Sequence, residues 1–394
     1  MADPVFIISG VRTAIGDFGG ALKDLAPSEM GKLVAAEAIR RAAVAPDDIQ
    51  HVVFGQVAQT RPRDAYLARV AAVEAGIPVA TPAMTLNRLC GSGVQAIISA
   101  TQGIQLGEYD IALAGGAESM SQAPHVVLSA RWGQKMGNTV MVDALLEALN
   151  DPFQNYHMGV TAENVAKRNN ITRADQDALA VESHQRAARA IAEGRFKEQI
   201  LPIEIKTRKG VTVFDTDEHV RGDANVADLG KLRPAFDKEG TVTAGNASGI
   251  NDGAAAVVVA SKAAVEAKGL KPLARIVAWG HAGVEPEVMG LGPVKAVPIA
   301  LKRAGLTIDD IDVIESNEAF AAQACAVARE LGFPAEKVNP NGSGISLGHP
   351  VGATGAIITV KAIYELQRTG GRYGLITMCI GGGQGIAMIV ERVA

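Results

Sequence analysis

Three separated stretches carry groups that suit one chemistry. Asn87-Arg-Leu-Cys-Gly-Ser-Gly93 puts a thiol just before a helical apolar pattern. Gly348-His-Pro350 puts an imidazole in a glycine-rich loop, and Cys379-Ile-Gly-Gly-Gly383 puts a second thiol before three glycines. A thiol at a helix start feels the positive end of the helix dipole, which favours thiolate. Small residues after it let a substrate approach the backbone. A histidine beside it can take the thiol proton. Glycine amides after Cys379 can donate to a developing oxyanion. Two thiols and a histidine suit acyl transfer followed by carbon–carbon bond formation or cleavage.

Each group also has a plainer reading. A lone cysteine is usually a small buried hydrophobe; that reading is kept for Cys325, which sits on an apolar helix face in Ala321-Ala-Gln-Ala-Cys-Ala-Val327. His349 could simply cap a helix begun by Pro350, since proline suits a first helical position. The density of glycines around it is harder to explain that way. Asn317-Glu-Ala-Phe320 follows a short apolar strand, where α/β folds place ligands, yet asparagine is equally at home as a helix cap. The glycine runs at 342–344 and 381–385 lack the full dinucleotide fingerprint with its later acidic residue.

The elements that must position these groups come from a repeat. Ala38-Ile-Arg-Arg-Ala42, Asp47-Asp48-Ile49 and Val52-Val-Phe54 recur as Ala300-Leu-Lys-Arg-Ala304, Asp309-Asp310-Ile311 and Val313-Ile314, at the 262-residue offset between Asp48 and Asp310. At that offset Cys90-Gly-Ser-Gly93 aligns with Gly352-Ala-Thr-Gly355, and each opens an apolar helical pattern. Several matches in one order argue for two halves of one fold. Each half alternates helical periodicity with short, wholly apolar strands, which implies α/β layers with sheets covered on both faces. The first strand is expected to cover Val5–Ile8 and stop at Gly10. Residues 121–249 have no counterpart and are expected to be an insertion, with 1–120 (completed by 250–270) and 271–394 as the halves.

Composition agrees with a globular chain. Hydrophobic residues make up 48% and charged residues 20% of the 394, so disorder is excluded. The net charge of −4 gives no general pull toward nucleic acid or an anionic membrane. Three cysteines without metal-like spacing favour a reducing compartment, and no apolar run is long enough for a membrane span. A cytoplasmic protein is expected.

The constellation resembles the thiolase family. The resemblance is carried by the three reactive stretches together with Gly115-Gly-Ala-Glu-Ser-Met120, Asn155-Tyr-His-Met-Gly159, Thr161-Ala-Glu-Asn-Val-Ala166, Thr243-Ala-Gly-Asn-Ala-Ser-Gly249 and Asn317-Glu-Ala-Phe320. It implies a duplicated five-layer α-β-α-β-α fold with an inserted loop domain. It implies reversible condensation of two acetyl-CoA to acetoacetyl-CoA and CoA, the alternative being cleavage mainly of longer 3-ketoacyl-CoAs. By resemblance, Cys90 carries the acyl group, His349 takes its proton, Cys379 handles the α-proton, and Asn317 holds a water against the enolate. The amides of Cys90 and Gly381 form an oxyanion hole. Ser248, Arg221, His157, Met158, Met289 and Phe320 contact CoA or the acyl group. No metal or tightly bound cofactor is implied; CoA and acyl-CoA are substrates and products. The family also suggests a homotetramer built of dimers. Lys206–Lys209 and Lys231–Arg233 could meet CoA phosphates or be solvated surface. The loop Gly342-Ser-Gly-Ile-Ser-Leu-Gly348 and Gln384 hint at a wider acyl range. A ketoacyl synthase fits less well, since Asn317 stands where that class has a histidine.

Overall fold

A computed structural model of the chain describes residues 3–207 and 210–393. The first half runs β1 (Val5–Thr13), α1 (Pro27–Ala42), β2 (His51–Gly55), α2 (Leu67–Glu74), β3 (Ala83–Leu86), α3 (Ser92–Gln105) and β4 (Ile111–Ser119). Two longer helices, α4 (Met158–Arg168) and α5 (Arg173–Ala192), follow before β5 (Asn251–Ser261). The second half runs β6 (Ala274–Gly283), α6 (Gly292–Ala304), β7 (Val313–Ser316), α7 (Ala321–Leu331), α8 (Val351–Thr369), β8 (Tyr373–Ile380) and β9 (Gln384–Arg392).

The strand order is β7-β8-β9-β6-β1-β5-β4-β2-β3 within one sheet. The order is the same read outward from its centre: β1 pairs antiparallel with β5, β5 antiparallel with β4, and β4 parallel with β2, just as β6 pairs with β9, β9 with β8, and β8 with β7. The halves meet at a short antiparallel ladder in which Val5 to Ile7 face Ile276 to Ala274. The repeat in the sequence is therefore a repeat in topology.

Strand alternation sorts the side chains into layers. Ala255, Val257 and Val259 of β5 join a central cluster with Ile97 and Ile98 of α3, Ile357 and Ile358 of α8, and Ile376 and Met378 of β8. Their neighbours Ala254, Ala256 and Val258 pack the opposite way, under α1 and α2. The outer face of the second half packs under α6 and α7, through Ala296, Val297, Val327 and Leu375. Helices, the first half's part of the sheet, the α3–α8 pair, the second half's part of the sheet and helices make five layers. Being in the middle explains α8, which is buried nearly all round. Its buried cation, Lys361, is 1% exposed and pairs with Glu315 at 2.7 Å.

One expectation fails. β1 does not stop at Gly10 but continues to Thr13. Gly10 lies where α8 crosses the strand, and a Cβ there would stand 3.1 Å from Val360 Cγ2. The glycine permits a close approach; it does not break the strand.

Between β4 and β5, α4 and α5 pack on α7. Ile200–Leu201 adds a short parallel partner to β1, and Ile203–Thr207 pairs with Gly210–Phe214 as a hairpin. A fully buried pair, Arg12 and Asp217, ties this stretch to β1 through contacts of 2.7 and 2.9 Å. No helix among the described residues is long and apolar enough to cross a membrane.

Candidate active site

Cys90 sits in the turn between β3 and α3. The residue before it, Leu89, has φ +45, a left-handed conformation that costs a branched side chain about 1–3 kcal/mol. The turn is over-determined by side-chain bonds. Leu89 N–H donates to Asn87 Oδ1 at 2.8 Å, and Arg88 N–H donates to the Ser92 hydroxyl at 2.8 Å. The thiol is pushed up to about 11 by burial, which outweighs the Gly381 N–H that bonds it. A thiol raised in this way calls for a base to take its proton at neutral pH.

His349 precedes α8. Helix α8 begins at Val351 with Pro350 as its N-cap. The imidazole is 4% exposed. Its Nδ1 lies 2.7 Å from the Thr354 hydroxyl and its Nε2 lies 3.4 Å from Asn317 Nδ2. Burial pulls its pKa down to about 4, so the ring is neutral and able to accept a proton. The His349 backbone N–H donates to Asn251 Oδ1 at 2.9 Å. Asn251 lies so close beneath the loop that a Cβ on Gly348, φ +113, would be 2.5 Å from its Cγ.

Asn317 follows β7 and is fixed by its own N–H to Thr377 O at 3.0 Å. Phe320, not Asn317, is the N-cap of α7. Asn317 is fully buried and its Oδ1 has no hydrogen-bond partner among the described residues, leaving an acceptor for water or substrate.

Cys379 is buried near the end of β8. Its thiol is pushed up by burial and then by Cys90, which places the two sulfurs in one electrostatic neighbourhood. Both are free thiols. Gly382 and Gly383, at φ +79 and +89, turn the chain into β9. Gly381 is pressed against Met158, whose Cε would stand 3.0 Å from a Cβ there.

Cys90, His349 and Gly381 open on one cavity of about 420 Å³, within the usual size of small-molecule sites. His157, Met158, Ser248, Met289 and Phe320 also line it. His157 stacks on Phe236 with centroids 4.6 Å apart, and Phe236 meets Phe320 edge-on at 6.2 Å. Arg221 is exposed and outside this lining; its N–H donates to His184 Nδ1 at 3.1 Å. Lys231 is exposed and paired with Asp228, and Lys206 is exposed. Arg208 and Lys209 lie outside the described residues. Cys325 packs against the apolar cluster that contains Met158 and Val165. Among the described residues, no group of three or more His, Cys, Asp or Glu side chains is placed to hold a metal ion.

Three supporting residues escaped the sequence reading. Asn251 and Thr354 hold His349, as above. Glu118, at the end of β4, accepts N–H groups from Val57 and Gly352, each at 2.9 Å, and from Ala58 at 3.1 Å. Burial raises its carboxyl to about 7. It lay within a quoted motif, but nothing in its spacing showed what it would meet.

A neutral imidazole, two free thiols, a glycine amide at one of them and a buried amide oxygen able to hold a water can transfer an acyl group through sulfur and stabilise a carbanion beside it. The family model described as Thiolase, N-terminal domain matches residues 5–263, and that described as Thiolase, C-terminal domain matches residues 270–392. The chain is 64% identical over 394 residues to the beta-ketothiolase BktB of Cupriavidus necator, covering 100% of both chains. It is 50% identical to an acetyl-CoA acetyltransferase of Chromobacterium violaceum, covering 98% of this chain and 99% of that one. Human mitochondrial 3-ketoacyl-CoA thiolase superposes with a TM-score of 0.98 at 44% identity, covering 100% of both chains. Its complex with CoA gives 0.97 at 44%, covering 100% of this chain and 99% of that one.

Proposed function

The chain belongs to the thiolase family, and on that premise we propose that Cys90, His349, Cys379, Asn317 and the Gly381 amide carry its reaction. The enzyme is an acyltransferase: an acetyl-CoA acetyltransferase, or β-ketothiolase, that binds CoA and acyl-CoA. Two acetyl-CoA become acetoacetyl-CoA and CoA, reversibly.

In the first half-reaction the Cys90 proton passes to His349 and the sulfur attacks the thioester carbonyl. The bond to CoA sulfur breaks, and CoA leaves as a thiol with the proton from His349. Acetyl-Cys90 remains. In the second half-reaction the proton of Cys379 rests on His349, and the Cys379 thiolate takes an α-proton from a second acetyl-CoA. The carbanion attacks acetyl-Cys90, a carbon–carbon bond forms, and the Cys90 sulfur departs to take the proton from His349. Asn317 with its water, and the amides of Cys90 and Gly381, stabilise the two oxyanions. Each such donor is worth about 3–4 kcal/mol. A thiol pushed up by burial is a stronger base once ionised, which helps it to abstract a weakly acidic α-proton.

The supporting observation is that Cys90, His349 and Gly381 face one cavity while Asn317 contacts His349 and Cys379 feels Cys90. Ser248, His157, Met158, Met289 and Phe320 take the pantetheine and acyl group, and Arg221 the adenine end. Residues 121–249 form the loop domain. Exposed Leu128, Trp132 and Met136, at 80%, 88% and 88%, bring dimers together as a homotetramer, in the cytoplasm.

Steady-state thiolysis with CoA and acetoacetyl-CoA both varied tests the mechanism: parallel double-reciprocal lines support the covalent intermediate, and intersecting lines count against it. The acyl range extends to a five-carbon ketoacyl-CoA; equal refusal of five-carbon and longer substrates would remove that part.

A further inference from the structure

The internal repeat carries a difference that bears on His349. At the 262-residue offset, Arg88, Ser92 and Gly93 correspond to Pro350, Thr354 and Gly355. In the first half the Ser92 hydroxyl accepts the Arg88 N–H at 2.8 Å and donates to Leu89 O at 2.7 Å. Its hydrogen and one of its two lone pairs are engaged in the turn that holds Cys90.

In the second half the matching backbone nitrogen belongs to Pro350 and has no hydrogen to give. The Thr354 hydroxyl still donates to the backbone, to Pro350 O at 2.9 Å. No backbone N–H occupies either of its lone pairs, and His349 Nδ1 stands beside the oxygen at 2.7 Å. A hydroxyl has one hydrogen. With that hydrogen on Pro350 O, the oxygen can only accept from the ring, so Nδ1 carries the proton. The opposite side agrees, because Asn317 Nδ2 is a donor and faces Nε2 at 3.4 Å.

We propose that Thr354 is the positioning residue that fixes His349 as its Nδ1–H tautomer, and that Pro350, having no N–H, keeps the backbone from competing for the same oxygen. Nε2 is thereby the proton-accepting atom of the site, a role that rests on the catalytic reading above. A hydroxyl in this place orients the ring without adding negative charge. Burial, which holds the imidazole at about 4, is consistent with a neutral ring between a hydroxyl and an amide.

The first test is direct. In the full-length enzyme with ¹⁵N-labelled histidine, the ring signals missing from His349→Asn belong to His349. The expected pattern is a protonated Nδ1 and an unprotonated Nε2; the reverse pattern overturns the proposal whatever the activity. In Thr354→Val the single tautomer is lost and kcat falls about 10–100-fold, as for other orienting partners of a functional histidine, with KM within about threefold. Thr354→Ser restores both. Pro350→Ala, which reintroduces an N–H to compete for the hydroxyl, lowers kcat and blurs the tautomer. Wild-type kcat in Thr354→Val contradicts the proposal. If Thr354→Val does not fold, Thr354→Ser, Pro350→Ala and the wild-type spectrum still decide it. Full activity in His349→Asn with an Nδ1–H ring in wild type would sink the catalytic reading and leave the tautomer assignment standing.

Discussion

Gly93 and Gly355 meet face to face where α3 and α8 cross: a Cβ on Gly93 would stand 2.4 Å from Ala356 N, and one on Gly355 would stand 2.4 Å from Val94 N. The two helices touch backbone to backbone near their N-terminal ends. Cys90 precedes one and His349 precedes the other, so this contact sets how near the thiol and the imidazole come. Gly355→Ala is expected to force the helices apart. It should cost about 1–3 kcal/mol of stability, the usual cost of overpacking, and lower kcat further than the lost stability accounts for. Urea unfolding and steady-state kinetics on the same preparation check this; an unchanged midpoint with full activity would contradict the packing argument.

The two thiols are expected to separate the half-reactions. Cys379→Ser should still take up an acetyl group on Cys90, while condensation falls by at least about a hundredfold, within the range of a lost general base. Mass analysis of the acetylated variant beside its turnover rate decides the matter. Loss of acetylation in this variant would mean that Cys379 is needed for the first step as well.

Acid stability turns on buried histidines. His184 is pulled down to about 4, first by burial and then by His219 and Arg221, with Asp223 acting the other way. The folded form thus binds a proton more weakly than the unfolded chain, whose histidine titrates near 6.5. That contribution to stability is present above about 6.5 and is lost as pH falls toward 4. His349 acts with the same sign. His184→Gln, whose amide oxygen can still accept the Arg221 N–H, should flatten the fall in unfolding free energy between pH 7 and 5. Urea titrations at both pH values test it, and parallel curves for wild type and variant would refute it.

The exposed apolar loop is expected to be an assembly surface. Trp132→Ser together with Leu128→Ser should lower the solution mass from four chains to two, with kcat per chain kept within about twofold because surface changes far from a site are near neutral. Analytical ultracentrifugation reads the mass. A tetramer unaffected by both changes would remove this loop from the assembly.

Much of this architecture is legible in the sequence because local signals and tertiary needs coincide. The apolar runs at Val52–Phe54 and Leu375–Met378 lie inside strands β2 and β8, and the repeat predicts the matched strand orders. Cys90, His349 and Cys379 stand out because glycines surround them. Gly10 misled because a glycine needed for helix approach looks the same as one that ends a strand. Asn251 and Glu118 were hidden for another reason. Their partners, the His349 N–H and the Val57, Ala58 and Gly352 N–H groups, are 98, 61, 60 and 234 residues away in sequence. Nothing local marks such a bond. Thr354 could have been found, since the repeat already set it against Ser92.

The central claim is that Cys90 carries the acyl group. Intact mass of wild type and Cys90→Ser after incubation with acetyl-CoA tests it most directly. The expected result is one added acetyl group on wild type and none on the variant. An adduct that survives in Cys90→Ser, or none on either protein, would contradict the account.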